Sequence, residues 1–137
     1  GAFFDDWYEI QDRVERITGH KSYLMRFPGG GSNTVSALYD GGSHIMSTLV
    51  DEVEDRGFSY FDWNISSGDA GGAKTAEEVY DNVTDRLGEG RWVVLQHDIA
   101  GFSVDAVENI IKYGKSHGFK FDKLSTDSFG AHHPVYN

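Results

Sequence analysis

The chain has 137 residues, a length that suits one domain and leaves little room for a second. Twelve basic against 22 acidic residues give a net charge of −10, which argues against nucleic acid and anionic membrane surfaces as partners, since both need a cationic face. No apolar run approaches the ~20 residues of a membrane span. The absence of cysteine excludes disulfides and thiolate metal sites, and 39% hydrophobic with 14% aromatic residues excludes a disordered chain.

Along the chain, helical and strand periodicities alternate. Phe3, Trp7, Ile10, Val14 and Ile17 fall on one helical face, and Gly19 is placed to end that helix. A short apolar run, Tyr23 to Phe27, reads as a strand that enters a loop at Pro28 and Gly29, Gly30 and Gly31. Ile45, Met46, Leu49, Val50 and Val53 mark a second amphipathic helix that stops at Gly57, and Phe58 to Trp63 reads as a second strand. The polar, Gly-rich stretch from Asn64 to Gly72 reads as a loop. Thr75 and Glu78 have capping-box spacing ahead of a third helix that buries Val79, Val83 and Leu87. Trp92 to Gln96 is a continuous apolar run of the kind found in a sheet covered on both faces. Ser103 is placed to cap a fourth helix with Val107, Ile110 and Ile111, and Phe119 to Phe121 reads as a last short strand.

Strands separated by helices imply an α/β fold with a parallel sheet and right-handed crossovers, of roughly four strands and four helices. The first helix has an apolar face but no strand before it. Four strands are too few to close a (β/α) barrel, which usually takes ~250 residues. The pattern therefore predicts either a small open sheet or the later half of something larger. Open sheet edges are templates for pairing, so a homodimer through those edges or an aggregation-prone monomer is expected.

Ligands of parallel α/β folds sit at the carboxyl ends of the strands. Three segments hold that position: Arg26 to Gly30, Asp62-Trp63-Asn64 and Leu95-Gln96-His97-Asp98. Each also has a plain structural reading. Arg26 suits a rim salt bridge, Trp63 a core position, and Asp62 and Asp69 turn formation. The Pro28 loop lacks the GxxxxGK[ST] spacing of a phosphate cradle. His97 follows a buried strand with Asp98 beside it, which suits acid–base work near neutrality. His132-His133 is a poor chelate, because neighbouring side chains on an extended chain point to opposite sides, and the pair is expected to be structural or exposed.

These three segments resemble the polysaccharide deacetylases of carbohydrate esterase family 4, the NodB-like group. Met25-Arg26-Phe27-Pro28-Gly29-Gly30 is similar to the family's Arg-x-Pro turn. Tyr60-Phe61-Asp62-Trp63-Asn64, continuing through Ser66 to Asp69, is similar to its Asp-Trp motif, and Val94-Leu95-Gln96-His97 to its Leu-x-His motif. The close of the chain, Leu124 with His132-His133 and Asn137, resembles a peptidoglycan-deacetylase-like branch from Gram-positive bacteria.

The resemblance implies the carboxyl-terminal part of a distorted (β/α) barrel. It implies a hydrolase that removes acetyl groups from N-acetylglucosamine polymers such as peptidoglycan or chitin, at the cell surface or outside the cell. A divalent metal, commonly zinc, activates the attacking water in such enzymes. His97 would be the general acid, Arg26 would orient the catalytic carboxylate, and the Gly29 N–H, after Pro28, would help hold the oxyanion. Trp63 and Leu95 would line the pocket for the acetyl methyl. The family's Asp-Asp and His-x-x-x-His motifs, which supply base and metal ligands, are absent at strand ends here, and Asp5-Asp6 lies within a helix. This chain is accordingly expected to bind no metal tightly and to be inactive alone. Ser66 stands where relatives often carry an acidic residue, so Asp69 or Asp98 would tune His97. The alternative is a non-catalytic half-domain that holds glycan through Trp63 and Tyr60.

Overall fold

The computed structural model describes residues 1–39 and 44–137. Its elements run α1 (Ala2–Thr18), β1 (Leu24–Met25), a 3-10 turn (Val35–Leu38), α2 (Ile45–Asp55), β2 (Ser59–Tyr60), β3 (Ile65–Ser66), α3 (Ala76–Thr84), β4 (Val94–Leu95) and α4 (Gly101–Ser116). This is an α/β fold of four helices with short parallel strands. β1 pairs with β2 and β3 with β4, both in parallel.

The regular ladders are much shorter than the apolar runs that predict them, and their identity differs in one place. The Asn64–Gly72 stretch reads as loop in the sequence, yet Ile65 and Ser66 form β3. The reason is that one segment serves two neighbours. Its first half bonds to the β1 side, through Ser59 N–H to Tyr23 O at 2.8 Å and Phe61 N–H to Met25 O at 2.9 Å. Its second half bonds to the β4 side, through Ile65 N–H to Val93 O and Ser67 N–H to Leu95 O. Asn64 clips the changeover. Its amide donates to Arg91 O at 2.9 Å and its oxygen accepts from Val93 N–H at 2.7 Å. A polar residue thus does at the switch what a ladder bond does elsewhere.

The expected last strand is absent. Residues 119–121 pair with nothing, because α4 ends in a Schellman motif that turns the chain back. Gly118 has φ +83, Phe119 N–H bonds to Gly114 O and Gly118 N–H to Lys115 O. The Phe121 ring then lies so close over Gly114 that an added Cβ there would stand 2.5 Å from it. Ser103 is not the cap of α4 either. Ala100 holds that position, and Ser103 lies buried inside the first turn. By contrast α3 starts with both halves of its capping box in place, and Gly19, at φ +75, closes α1 in the left-handed region.

Two apolar clusters result. The first gathers Phe4, Met25, Phe27, Met46, Val53 and Tyr60 between α1, α2 and the first ladder. The second gathers Ile65, Ala73, Val79, Val83, Ala106 and Ile110 between α3, α4 and the second. The amphipathic stripe read along α1 is buried only at its start. Phe4 and Gln11 are the buried residues, whereas Ile10 and Val14 are exposed and Ile17 is 85% exposed, because no described element covers the later turns of α1. The Trp92–Gln96 run is likewise not covered on both faces, since Val94 is 36% exposed.

The burial pattern predicts unequal costs along α1. Phe4→Ala should destabilise by about 3–5 kcal/mol, as for other large-to-small core changes. Ile17→Ala should change stability by less than about 0.5 kcal/mol. Urea unfolding of the two variants checks this.

Candidate functional site

Because all four strands run parallel, their carboxyl ends deliver four segments to the same side: Arg26 to Gly31 after β1, Phe61 to Trp63 after β2, Ser67 to Asp69 after β3, and Gln96-His97 after β4. Two hydrogen-bonded clusters form there.

The first begins with a turn. Gly30 N–H bonds to Phe27 O at 2.8 Å, with Pro28 at the second position and Gly29 at φ +75 in the third, the type II arrangement that needs glycine there. Asn33 braces it by donating to Pro28 O at 3.0 Å. The Gly29 N–H makes no hydrogen bond among the described residues. Asp62, 1% exposed, accepts the Gly31 N–H on Oδ1 at 2.7 Å and the His133 N–H on Oδ2 at 2.8 Å. Buried carboxylates persist when backbone donors replace water in this way. Trp63 is half-buried, with the Arg26 guanidinium over its ring at 5.9 Å. Arg26 itself is exposed and forms no ion pair among the described residues.

The second cluster is built on Asp69, which is 9% exposed. Its Oδ1 lies 2.9 Å from His97 Nδ1, and its Oδ2 accepts the His97 N–H and the Ser103 hydroxyl, both at 2.6 Å. A carboxylate opposite Nδ1 places the proton on that nitrogen, and Nε2 has no hydrogen bond among the described residues. Burial alone would raise the Asp69 carboxyl. The hydrogen bonds from Ser103, from the His97 ring and backbone, and from Ser67 outweigh it and hold the carboxyl well below the usual carboxylate range. Gln96 donates to the Ser103 carbonyl and ties the His97 strand end to the start of α4.

The strand ends thus bring together Arg26 with Trp63, the Pro28-Gly29 turn with Asp62, and Asp69 with His97. Asp98 is exposed and has no hydrogen bond to His97, so the neighbouring carboxylate suggested by sequence adjacency is replaced by one 28 residues away. Leu95 is half-buried in β4. Three participants have roles that sequence order does not give: Ser103, a donor to Asp69 and not a helix cap; Ser67, beside Asp69; and His133, a donor to Asp62. A hydroxyl one turn into a helix that follows a strand is the available signal for Ser103, and for His133 only the resemblance of the chain's close is one. Among the described residues no group of three or more His, Asp, Glu or Cys side chains is gathered as a metal centre requires. The donor set described here therefore does not fit a divalent metal by itself, and no chemistry is routed through one. A shallow groove lined by Tyr80, Lys112 and Tyr113 lies between α3 and α4, on surfaces that carry neither cluster.

No protein-family model matches the chain. The catalytic domain of a peptidoglycan N-acetylglucosamine deacetylase from Eubacterium rectale superimposes with a TM-score of 0.93 at 46% identity, over 99% of this chain and 62% of that one. A polysaccharide deacetylase from Bacillus cereus superimposes with a TM-score of 0.76 at 28% identity, over 98% and 62%. A curated peptidoglycan-N-acetylglucosamine deacetylase of Bacillus cereus is 31% identical over 98% of this chain and 46% of its own length.

The fold is therefore that of the catalytic domains of polysaccharide deacetylases. The relatives and structural neighbours of this chain are peptidoglycan and polysaccharide deacetylases of carbohydrate esterase family 4, each matched over part of its length. It spans about half the length of the curated relative, 46%.

Asp69 predicts an acid-sensitive fold. Its carboxyl lies below its unfolded value, near ~3.9, so its contribution to stability is present above about pH 4 and is lost as pH falls through the folded value. Asp69→Asn should lower stability at pH 7 by about 2 kcal/mol, the scale of a charged hydrogen bond. It should also flatten the loss between pH 5 and pH 2 (roughly the carboxylate window). Urea unfolding across pH reads both effects.

Proposed function

We propose that this chain is the carboxyl-terminal portion of a hydrolase that removes N-acetyl groups from N-acetylglucosamine units of cell-wall polysaccharide. The observation that carries the reading is His97, half-buried and held by the buried Asp69 at 2.9 Å with no hydrogen bond to its Nε2 among the described residues, on the same strand ends as the Pro28 turn and Trp63. The names of the relatives, all polysaccharide or peptidoglycan deacetylases, support the substrate class.

Hydrolysis of an acetamide needs a nucleophilic water, a stabilised oxyanion and a proton for the departing nitrogen. In this reading water adds to the acetamide carbonyl, and the His97 ring, protonated on both nitrogens in this step, gives its Nε2 proton to the glucosamine nitrogen as the C–N bond breaks; acetate and a free amine leave, and the neutral Nδ1–H ring remains on Asp69. Asp69 keeps the imidazole in the required tautomer and orientation and stabilises the charged ring. The free Gly29 N–H, presented by the type II turn, offers a donor to the carbonyl oxygen. Trp63 and Leu95 supply apolar surface for the acetyl methyl, and Arg26 orients a carboxylate outside this chain. The divalent metal and the base belong to side chains outside this chain. The polymer lies beyond the cell membrane, so the whole protein acts at the cell wall. No helix of the described residues is long and apolar enough to cross a membrane.

In the full-length protein, His97→Ala should lower kcat for acetate release from acetylated chito-oligosaccharides by about 100- to 10,000-fold, the range of a lost general acid. KM should change little. Full activity in His97→Ala, with binding abolished by Trp63→Ala, would instead favour a glycan-holding role.

Two further properties belong to the 137-residue chain by itself. A calorimetric zinc titration should show no tight equivalent, since the donors are not gathered. Sedimentation should show a dimer, because both two-stranded sheets present unpaired edges. One tight zinc equivalent, or a cooperative monomer, contradicts the half-site reading.

A further inference from the structure

The last seven residues do not trail off the molecule. Ala131 is buried. The His132 ring stacks on Tyr60 at 4.0 Å and 9°, with its Nε2 3.0 Å from Tyr60 O. Asn137 accepts the Ser47 N–H at 2.8 Å and donates to the Ser36 hydroxyl. Residues 131–137 are therefore a strap that crosses the strand ends and docks on the start of α2.

His133 is where the strap meets the candidate site, and its backbone N–H and both ring nitrogens have partners. Its backbone N–H donates to Asp62 Oδ2 at 2.8 Å. Its Nε2 lies 2.6 Å from the Trp63 carbonyl, an acceptor only, so that nitrogen carries the proton. Nδ1 is then the acceptor for the Ser32 hydroxyl at 3.3 Å. The ring stands edge-on to the Trp63 indole, 4.5 Å away at 77°. These contacts converge on one point. A Cβ on Gly30, which has φ +81, would stand 3.1 Å from Asp62 Oδ1, from His133 Nδ1 and from Trp63 Cη2 at once. The loop, the indole and the strap are thus packed against each other with no space for a methyl group.

We propose that His133 is a positioning residue for the substrate groove. It sets the orientation of the Trp63 indole and the height of the Pro28–Gly31 turn against it, so that the carboxyl-terminal strap fixes the width of the site between them. The inference rests on the reading of Trp63 as a wall of the glycan site. It concerns recognition, not proton transfer, because His133 contacts Trp63, Asp62 and Ser32 and forms no hydrogen bond to His97 or Asp69.

The test uses the full-length protein labelled with 5-fluorotryptophan, with the Trp63 fluorine signal assigned by its loss in Trp63→Phe. In His133→Ala the Trp63 signal should shift or broaden while those of Trp7 and Trp92 stay in place. KM for acetylated chito-oligosaccharide should rise about three- to tenfold, the consequence of losing a contact of ordinary hydrogen-bond strength, with kcat within about twofold. His133→Gln, whose amide can still donate to the Trp63 carbonyl, should restore both. If the alanine variant fails to fold, His133→Phe, which keeps the ring edge and removes both nitrogens, replaces it with the same expectation.

An unmoved Trp63 signal in either variant overturns the proposal, as does a folded glutamine variant that leaves signal and KM displaced. A fall in kcat with KM unchanged overturns it as well. If the native protein releases no acetate, the deacetylase reading fails on its own account, and the Trp63 signal still decides the positioning claim.

Discussion

The Asp62 carboxylate lies almost out of contact with solvent and accepts two backbone N–H groups, one from the loop after β1 and one from the carboxyl-terminal strap. A buried carboxylate without a cation survives only if such donors replace its hydration. The fold meets that requirement by drawing together Gly31, Asp62 and His133, whose sequence separations are 31 and 71 residues. Removing the charge would leave two inward-pointing donors unpaired, and removing either donor would strand the charge. The strand ends are held as a unit for this reason, and the glycines follow from it. Gly31 has Asp62 Oδ2 2.9 Å from where a Cβ would stand, and Gly30 is confined by three neighbours.

Asp62 lies within, and Asp69 just after, one segment, residues 59–67, that is shared between two ladders. Because this segment bonds to β1 with its first half and β4 with its second, its two loops emerge beside different partners. Asp62 organises the turn and Trp63, and Asp69 organises His97. The division gives each carboxylate its own hydrogen-bonded cluster. Both are buried, yet they act differently, because Asp62 is met by two backbone amides while Asp69 meets an imidazole and a hydroxyl that can exchange protons.

The remaining surface leaves apolar side chains and strand edges uncovered among the described residues. The later turns of α1 expose Ile10, Val14 and Ile17, and β4 exposes Val94, while the two small sheets keep open edges. The structural relatives extend well beyond the matched region, with this chain covering 62% of each of the two described.

Local signals were enough for the helices and for which segments follow the strands. Thr75 and Glu78 announced the start of α3, Gly19 the end of α1, and the alternation of periodicities a parallel α/β fold. The turn at Pro28-Gly29, the Asp62-Trp63 pair and His97 stood at strand ends by sequence order alone. These features depend on residues a few positions apart, and short-range sterics and hydrogen bonding decide them. What the sequence could not decide was which of these groups would touch. The partner of His97 is Asp69 and not its neighbour Asp98, Ser103 is a donor to that carboxylate and not a cap, and Ile65-Ser66 is a strand because Val93 and Leu95 lie beside it. His133 reaches a site 70 residues earlier in the chain. Those choices follow from desolvation of polar groups brought together by packing, and only the tertiary structure determines which donors are near enough to replace the lost water.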